Sequence, residues 1–468
     1  MEQASDISDR FIPDTICEPA PGEDQHYDEE IDEKQKKAKT RSIIPNLIHH
    51  VHDEGVIKYL VRENDELHVK EFALIDDQLY RPKQDLPIET VPKNILSESK
   101  TFSGKILLSR IENFLRSHVE FPYEQHYLIC ALWLSHTYFI EKLSVTPILY
   151  FFGLKETGKT RAGEVIYYLA FKAERLTSPT EACLFRAADY FKTTLIIDEI
   201  KLWGPDGNMG VANLIKSRYK RGIKVSRVNL NKSGEDQIEY FDVFAPLVIC
   251  STEAMPPIVQ SRCITIIMQQ NTDPAVERDI DTEEAEKIRK MLTILRFNHY
   301  NQDLPQVEPI TRRRLNEITK PLLIMCKILD PGRLPELIDF IQYEEMRVVD
   351  EEGDSIEAEI LRLIDEHHEL RGTDKFLTRE IVDALNRGKS SEKDKRGDRF
   401  VASCISRLGF EKTRLSRGPE KGKRGFKHDE ILLEKLKMRY GIADENINLV
   451  TGDGSDTSNG AFSNSFHE

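Results

Sequence analysis

The sequence predicts an α/β fold built on a doubly wound parallel sheet, and three observations carry that prediction. An apolar run, Pro147-Ile148-Leu149-Tyr150-Phe151-Phe152, feeds directly into a glycine-bracketed loop, Gly153-Leu154-Lys155-Glu156-Thr157-Gly158-Lys159-Thr160, and then a helix-compatible stretch through Ala162 to Leu169. A second apolar run, Thr193-Thr194-Leu195-Ile196-Ile197, ends in the acids Asp198 and Glu199, 39 residues after Lys159. Runs this apolar are normally buried on both faces of a parallel sheet. Alternating strands and helices then give the doubly wound arrangement.

The elements follow in chain order. Residues 1–40 are read as a disordered acidic tail: within 1–33 there are 12 Asp and Glu against one Arg, a net of −11, with few aromatics. Residues 41–100 read as a small β-rich module, in which Val56–Val61 and Leu67–Phe72 are extended runs around the turn-like Glu63-Asn64-Asp65. The cluster His49-His50-Val51-His52 has no Cys or second His cluster near it in the chain, so it is read as surface histidines rather than metal ligands. From 104 to 142 the spacing is helical, with Ile106, Leu107, Ile111 and Leu115 on one face and a second helix from about Tyr123 to Phe139.

The loop at 153–160 is where chemistry enters. Gly153, Thr157 and Gly158 bracket a turn whose backbone N–H groups can face phosphates. Lys159 reaches the outer phosphates, and the Thr160 hydroxyl can ligate Mg²⁺. Asp198 and Glu199, at the carboxyl end of a buried strand, fall in the crevice where such sheets bind ligands. Asp198 is expected to orient the Mg²⁺ shell and Glu199 to polarise the water that attacks a γ-phosphate. These residues imply hydrolysis of ATP or GTP with Mg²⁺.

Beyond these acids, Ile223–Val228 and Gln237–Phe241 alternate around a Ser-Gly turn and predict a β-hairpin with Lys232 near its tip. The run Pro246–Cys250 ends in Ser251-Thr252, hydroxyls placed to sense a γ-phosphate or position the lytic water. Arg262 stands directly before another apolar run and suits an arginine acting in trans across a subunit boundary. Residues 311–345 read as helical, including Leu315, Ile318, Leu322, Leu323, Met325 and Ile328. The stretch 354–440 reads as three helices and a hairpin: Ile356, Ile360, Leu361 and Ile364 line the first, Thr378 caps the second, and Asp398 caps the third. In the third, Phe400, Val401, Cys404, Ile405 and Leu408 face inward. With a turn holding Gly418, Pro419 and Gly422, this is a winged-helix pattern. Residues 386–427 carry 14 Lys and Arg against 5 Asp and Glu, a net of +9, so the overall charge of −14 hides a basic segment. Arg399 and Arg407 on the third helix, with Lys421, Lys423 and Arg424 at the wing tip, are the candidate phosphate contacts. A protein-binding winged helix with a solvated charged face is the other reading of that pattern. Residues 443–468 are read as a flexible tail.

The order of parts resembles an AAA+ ATPase core. More narrowly, it is similar to the helicase-like ATPases of phages, plasmids and integrated mobile elements, whose hairpin placement is like that of the minichromosome-maintenance helicases. The resemblance is carried by Gly158-Lys159-Thr160-Arg161, Ser178-Pro179 with Leu184-Phe185-Arg186, Thr194–Glu199 and Ser261-Arg262-Cys263-Ile264, and it spans residues 45–440. Arg314-Leu315-Asn316-Glu317-Ile318 looks like a lid segment carrying a second sensor arginine. Ser251-Thr252 stand where many relatives place Asn. The resemblance implies a core with helical lid over 101–350 and a winged-helix DNA-binding domain over 351–442. It further implies an ATP-driven helicase or translocase that works as a homo-oligomeric ring, expected to be hexameric, on single-stranded or forked DNA in replication initiation of a mobile element. A loader or switch, or a phage-defence ATPase without unwinding activity, are the competing classes.

Composition narrows the setting. No apolar run approaches 18 residues, so no membrane span is expected. The first residues lack the basic and apolar regions of a signal peptide. Seven cysteines lie far apart without a Cys-x-x-Cys pair, which favours free thiols and a cytoplasmic location.

Overall fold

The computed structural model describes residues 35, 37–177, 179–198, 209–311, 313–389, 391, 395–414 and 422–442. The expected disordered head and flexible tail fall almost wholly outside these residues, as do Glu199 and Lys421. Two compact units divide between Gln342 and Tyr343.

The first unit opens with short strands: β1 Lys39–Thr40, β2 Leu47–Asp53, β3 Val56–Glu63, β4 Glu66–Lys70, β5 Ala73–Ile75, β6 Gln78–Arg81 and β7 Val91–Pro92. They form one sheet in the order β4-β3-β2-β7 and a second in the order β1-β6-β5. The β3–β4 turn places Asn64 and Asp65 at φ of 46° and 62°, a left-handed pair that Asn and Asp tolerate and that matches the twist of a tight hairpin. Here the structure corrects the reading of the histidines. His49 and His50 are completely buried. The His49 ring meets Phe171 edge-on at 5.0 Å, and His50 lies 6.0 Å from Tyr59. Every residue of β2 from Leu47 to Val51 is buried, so both of its faces are covered. No cluster of three or more metal-ligating side chains occurs among the described residues.

Two helices lead to the core, α1 Gly104–His118 and α2 Gln125–Thr137. Leu107, Leu108, Ile111, Phe114 and Leu115 form the buried stripe of α1, whereas Ile106 is 60 % exposed and lies off that face. Almost every side chain of α2 is buried, and Trp133 donates its indole N–H to the Pro147 carbonyl at 2.8 Å. No helix among the described residues is long and apolar enough to cross a membrane.

The central sheet takes β8 Ile148–Phe152, β9 Ala173–Thr177, β10 Thr194–Asp198, β13 Leu247–Ser251 and β14 Cys263–Ile267, with the antiparallel hairpin β11 Lys224–Val228 and β12 Ile238–Asp242 between them in sequence. The order is β14-β8-β13-β10-β9, and every neighbouring pair is parallel. The expected α/β parallel sheet is present, with its strands nearly continuous in apolar residues. Helices α3 Lys159–Leu169, α4 Glu181–Phe191, α5 Met209–Arg218, α6 Pro257–Gln260, α7 Thr282–Asn298 and α8 Arg313–Leu329 connect or follow these strands, and α9 Leu334–Gly353 begins in this unit. Helix α7 also ties the N-terminal strands down. The Arg296 guanidinium donates to the carbonyls of Leu47 (3.0 Å), Ile48 (2.8 Å) and Tyr138 (2.6 Å) and pairs with both Glu141 oxygens.

The second unit contains α10 Ile356–Arg371, β15 Lys375–Leu377, α11 Thr378–Leu385, α12 Asp398–Leu408, β16 Lys412–Arg414, β17 Arg424–Lys427 and α13 Glu430–Tyr440. Its antiparallel sheet runs β15-β17-β16. Ile360, Leu361, Ile364, Ile381, Val382, Leu385, Val401, Cys404, Ile405, Leu408, Leu433 and Leu436 share one core. Thr378 and Asp398 are first helical residues rather than caps, since Leu377 and Gly397 hold the cap positions. Phe400, expected inside, is 42 % exposed with the Arg396 guanidinium over its ring. Helix α13 was not anticipated. Its signal was present in Asp429, whose side chain accepts from Leu432 N, followed by Leu433, Leu436 and Tyr440 on one face.

Candidate functional site

The loop between β8 and α3 fits a phosphate chain closely. A side chain at Gly153 would strike the Met268 carbonyl at 2.6 Å, and Gly158 sits at φ 77°, a left-handed conformation open to glycine. Lys159 begins α3 and is buried, its Nζ donating to the Leu154 carbonyl and to Thr157 Oγ1 at 3.3 Å. Thr157 Oγ1 in turn donates to the Leu154 carbonyl at 2.9 Å. The ammonium is thus folded over the loop's own oxygens, the position from which it can turn to an incoming anion at a helix N-terminus.

Strand order brings the remaining chemistry beside it. Asp198 ends β10, Ser251 ends β13, and Ser251 stands in register with Phe152 just before the loop. Because β13 lies between β8 and β10, the Ser251 hydroxyl occupies the middle of the crevice, buried and accepting from Glu253 N at 3.0 Å. Thr252 next to it is exposed. Thr160 Oγ1 donates to Asp198 Oδ1 at 3.1 Å, and Arg175 on β9 pairs with Asp198 Oδ2 at 3.2 Å. A hydroxyl and a carboxylate this close form the hard-oxygen donor set that Mg²⁺ takes together with substrate phosphates. The residues present fit that ion. Arg175 was not singled out from the sequence; its pairing with Asp198 follows from β9 lying beside β10. Glu199 lies outside the described residues.

A cavity of about 290 Å³ adjoins the loop, lined by His118 to Glu120, Glu156 to Gly158, Arg161, Met268 and the 271–277 segment. Arg161, the residue after Thr160, organises its walls: it donates to the carbonyls of His118 (3.2 Å), Val276 (3.4 Å) and Arg278. Glu120 closes the other side, accepting from Thr272 N, Thr272 Oγ1 and Asp273 N at 2.7 to 2.9 Å. These contacts hold the Glu120 carboxyl below its ordinary range, the Thr272 hydroxyl first among the causes. A larger cavity of about 630 Å³ lies along α1 around the Arg110–Glu284 ion pair and includes none of the phosphate-loop residues.

Arg262 is at the other edge of the sheet. It precedes β14, and its carbonyl accepts from Ile148 N at 3.0 Å, beside the amino end of β8. The loop follows the carboxyl end, four strand steps or roughly 13 Å further on. Arg314, near the start of α8, lies with Arg262: both guanidiniums sit over the Tyr219 ring, at 4.8 and 5.2 Å from its centroid. Arg314 also donates to the Tyr219 hydroxyl and to Glu317 at 2.8 Å.

The candidate nucleic-acid contacts are dispersed. Lys232 stands in the hairpin loop as expected, but pairs with Glu239 at 3.0 Å. The hairpin also exposes apolar side chains: Val228, Leu230, Ile238 and Tyr240 are all at least half exposed. In the second unit Arg399, Lys423 and Arg424 are exposed. Arg407 is engaged by Glu357 at 2.8 Å and by Cys404 Sγ at 3.1 Å. Lys421 lies outside the described residues.

No protein-family model matches the chain, and no curated protein does. Among solved structures it is similar to the apo C-terminal region (305–718) of NrS-1, at 11 % identity over 81 % of this chain and 96 % of that one, with a TM-score of 0.35. A JCV helicase bound to a substituted N-phenylacetamide matches at 13 % identity over 52 % of this chain and 61 % of that one, with a TM-score of 0.26. The RuvB Holliday junction branch migration motor of Thermotoga maritima matches at 16 % identity over 69 % and 98 %, with a TM-score of 0.23. Likenesses at this level assign no function.

Proposed function

We propose that the chain is an ATP hydrolase whose catalytic centre is completed by a neighbouring copy, and that a ring of such copies translocates on DNA as a helicase. One observation carries the reading: Arg262 sits at the amino edge of the sheet, at the far end of β8 from its own phosphate loop. An arginine there serves a triphosphate bound in another subunit.

Within one copy, the loop N–H groups and Lys159 would bind the phosphates, and the cavity beside them would take the nucleoside. Thr160 and Asp198 would hold Mg²⁺, which when bound neutralises charge on the phosphate oxygens. Glu199 would accept a proton from the attacking water, Ser251 would orient that water or the γ-phosphate, and Arg175 keeps the Asp198 carboxylate in place. From the next copy, Arg262 would meet the charge that develops on the transferred phosphoryl group, where an arginine is worth about 10³-fold or more in turnover. The basic 386–427 segment, read as a winged helix, would contact DNA phosphates without reading sequence. Replication initiation of a mobile element is the setting proposed.

A switch or loader that does not unwind is favoured by one feature. The hairpin from Lys224 to Asp242 carries three basic and four acidic residues, and its Lys232 is already ion-paired. Hydrolysis measured with and without single-stranded DNA, paired with strand displacement on a forked duplex, decides. Stimulation with displacement supports the helicase, stimulation without displacement supports the switch, and hydrolysis that ignores both DNA and protein concentration removes the ring.

A further inference from the structure

Tyr219 directly follows α5 and is nearly buried. Its backbone is stitched to the amino end of the sheet: its carbonyl accepts from Thr146 N at 2.8 Å, and Lys220 bridges to Val145. Its side chain is the common neighbour of the two arginines at this edge. Arg262 and Arg314 lie over its ring, and its hydroxyl accepts from Arg314 Nη1. Glu317, one turn along α8, accepts from Arg314 at 2.8 Å and from Lys220 at 2.5 Å, so Arg314 is held from two sides. Two guanidiniums repel each other in the open, and the negative face of an aromatic ring offsets that repulsion. A guanidinium already ordered on a ring also loses less freedom when it meets an anion.

We propose that Tyr219 is a positioning residue that holds Arg262 and Arg314 as one pre-ordered unit aimed at the nucleoside triphosphate of the neighbouring copy. This rests on the trans reading of Arg262 and extends it to a second arginine and to the ring that sets both. The chemistry recognised is a cluster of anionic phosphoryl oxygens, for which two planar donors outperform one.

The test uses the full chain and ATP with Mg²⁺. Tyr219→Leu is expected to lower kcat about 10- to 100-fold, the scale of a misplaced catalytic group, while the Kd for ATP stays within about twofold. Arg314→Ala should behave alike. Tyr219→Phe keeps the ring in the core, so it folds, and lowers kcat about threefold by releasing Arg314 from the hydroxyl. Each variant is then mixed with Lys159→Ala, which lacks a working loop but has an intact arginine edge. In an equal random mixture about half of the intact loops face an intact edge, so turnover counted per intact loop should rise to about half of wild type or more. Wild-type turnover in Tyr219→Phe and Arg314→Ala, or a loss in them that Lys159→Ala fails to relieve while it does relieve Arg262→Ala, overturns the proposal. If mixing relieves none of the variants, Arg262→Ala included, it is the trans reading itself that fails.

Discussion

The two ends of the central sheet are built in opposite ways. At the carboxyl end, Gly153, Lys159, Thr160, Asp198 and Ser251 converge because three parallel strands end side by side, and their contacts are short and local: Thr160 to Asp198 at 3.1 Å, Lys159 to the loop beside it. At the amino end, Arg262, Arg314 and Tyr219 come from three separate connections and meet only through packing. The first end gathers a glycine-bracketed loop, a lysine and hard-oxygen donors within one copy. The second gathers two arginines at the opposite end of the same strands. On the proposed reading, strand direction alone would divide binding and turnover between copies.

That contrast is open to direct test. Lys159→Ala removes the cation from the binding end and should abolish hydrolysis, by about 10³-fold or more, and weaken ATP binding in an equilibrium titration. Arg262→Ala should cut turnover about 10³-fold with ATP affinity retained, and equal losses of affinity in the two variants would erase the distinction between the ends. A smaller effect is expected where α3 lies on the sheet. A side chain at Gly163 would come 2.7 Å from Cys250 Sγ on β13. Gly163→Ala should therefore cost about 1–3 kcal/mol in chemical denaturation, and adding Cys250→Ala should return most of it.

The last effect belongs to the N-terminal strands and depends on pH. Burial holds the His49 imidazole down to about 3, aided by the charge of Lys172, and lowers His50 in the same direction. An unfolded histidine takes up its proton near 6.5, so as pH falls the unfolded chain is protonated first. The neutral buried ring thus contributes fully above pH 6.5, and the contribution is lost as pH falls toward 3. Thermal unfolding of His49→Leu should show a flatter acid slope than the parent, by up to about 1.4 kcal/mol per pH unit. An unchanged slope would place this histidine in contact with water.

Legibility followed the range of the interaction. Lys159, Thr160 and Asp198 could be singled out because each lies inside a strand-loop pattern of a dozen residues, and the structure brings Thr160 and Asp198 together. The winged-helix pattern's inward positions were mostly readable by helical spacing, while Phe400 turned outward. The burial of the histidines at 49 and 50 was not legible, because the rings packed against them, Phe171 and Tyr59, lie elsewhere in the chain. Arg161 stands beside Thr160, yet its grip on the carbonyls of His118, 43 residues back, and of Val276 and Arg278, 115 and 117 residues on, left no local trace.

By itself the chain's order of residues determined a glycine-bracketed strand-to-helix loop, a buried acid-tipped strand and a parallel α/β core, because backbone turn geometry and apolar runs act between near neighbours. Only the tertiary structure decided that Ser251 lies between loop and acid, that Arg262 and Arg314 share the Tyr219 ring, and that this ring stands at the sheet's far edge. Those facts depend on strand order, β14-β8-β13-β10-β9. Strand order is settled by how whole faces bury against one another, which no short stretch of sequence encodes.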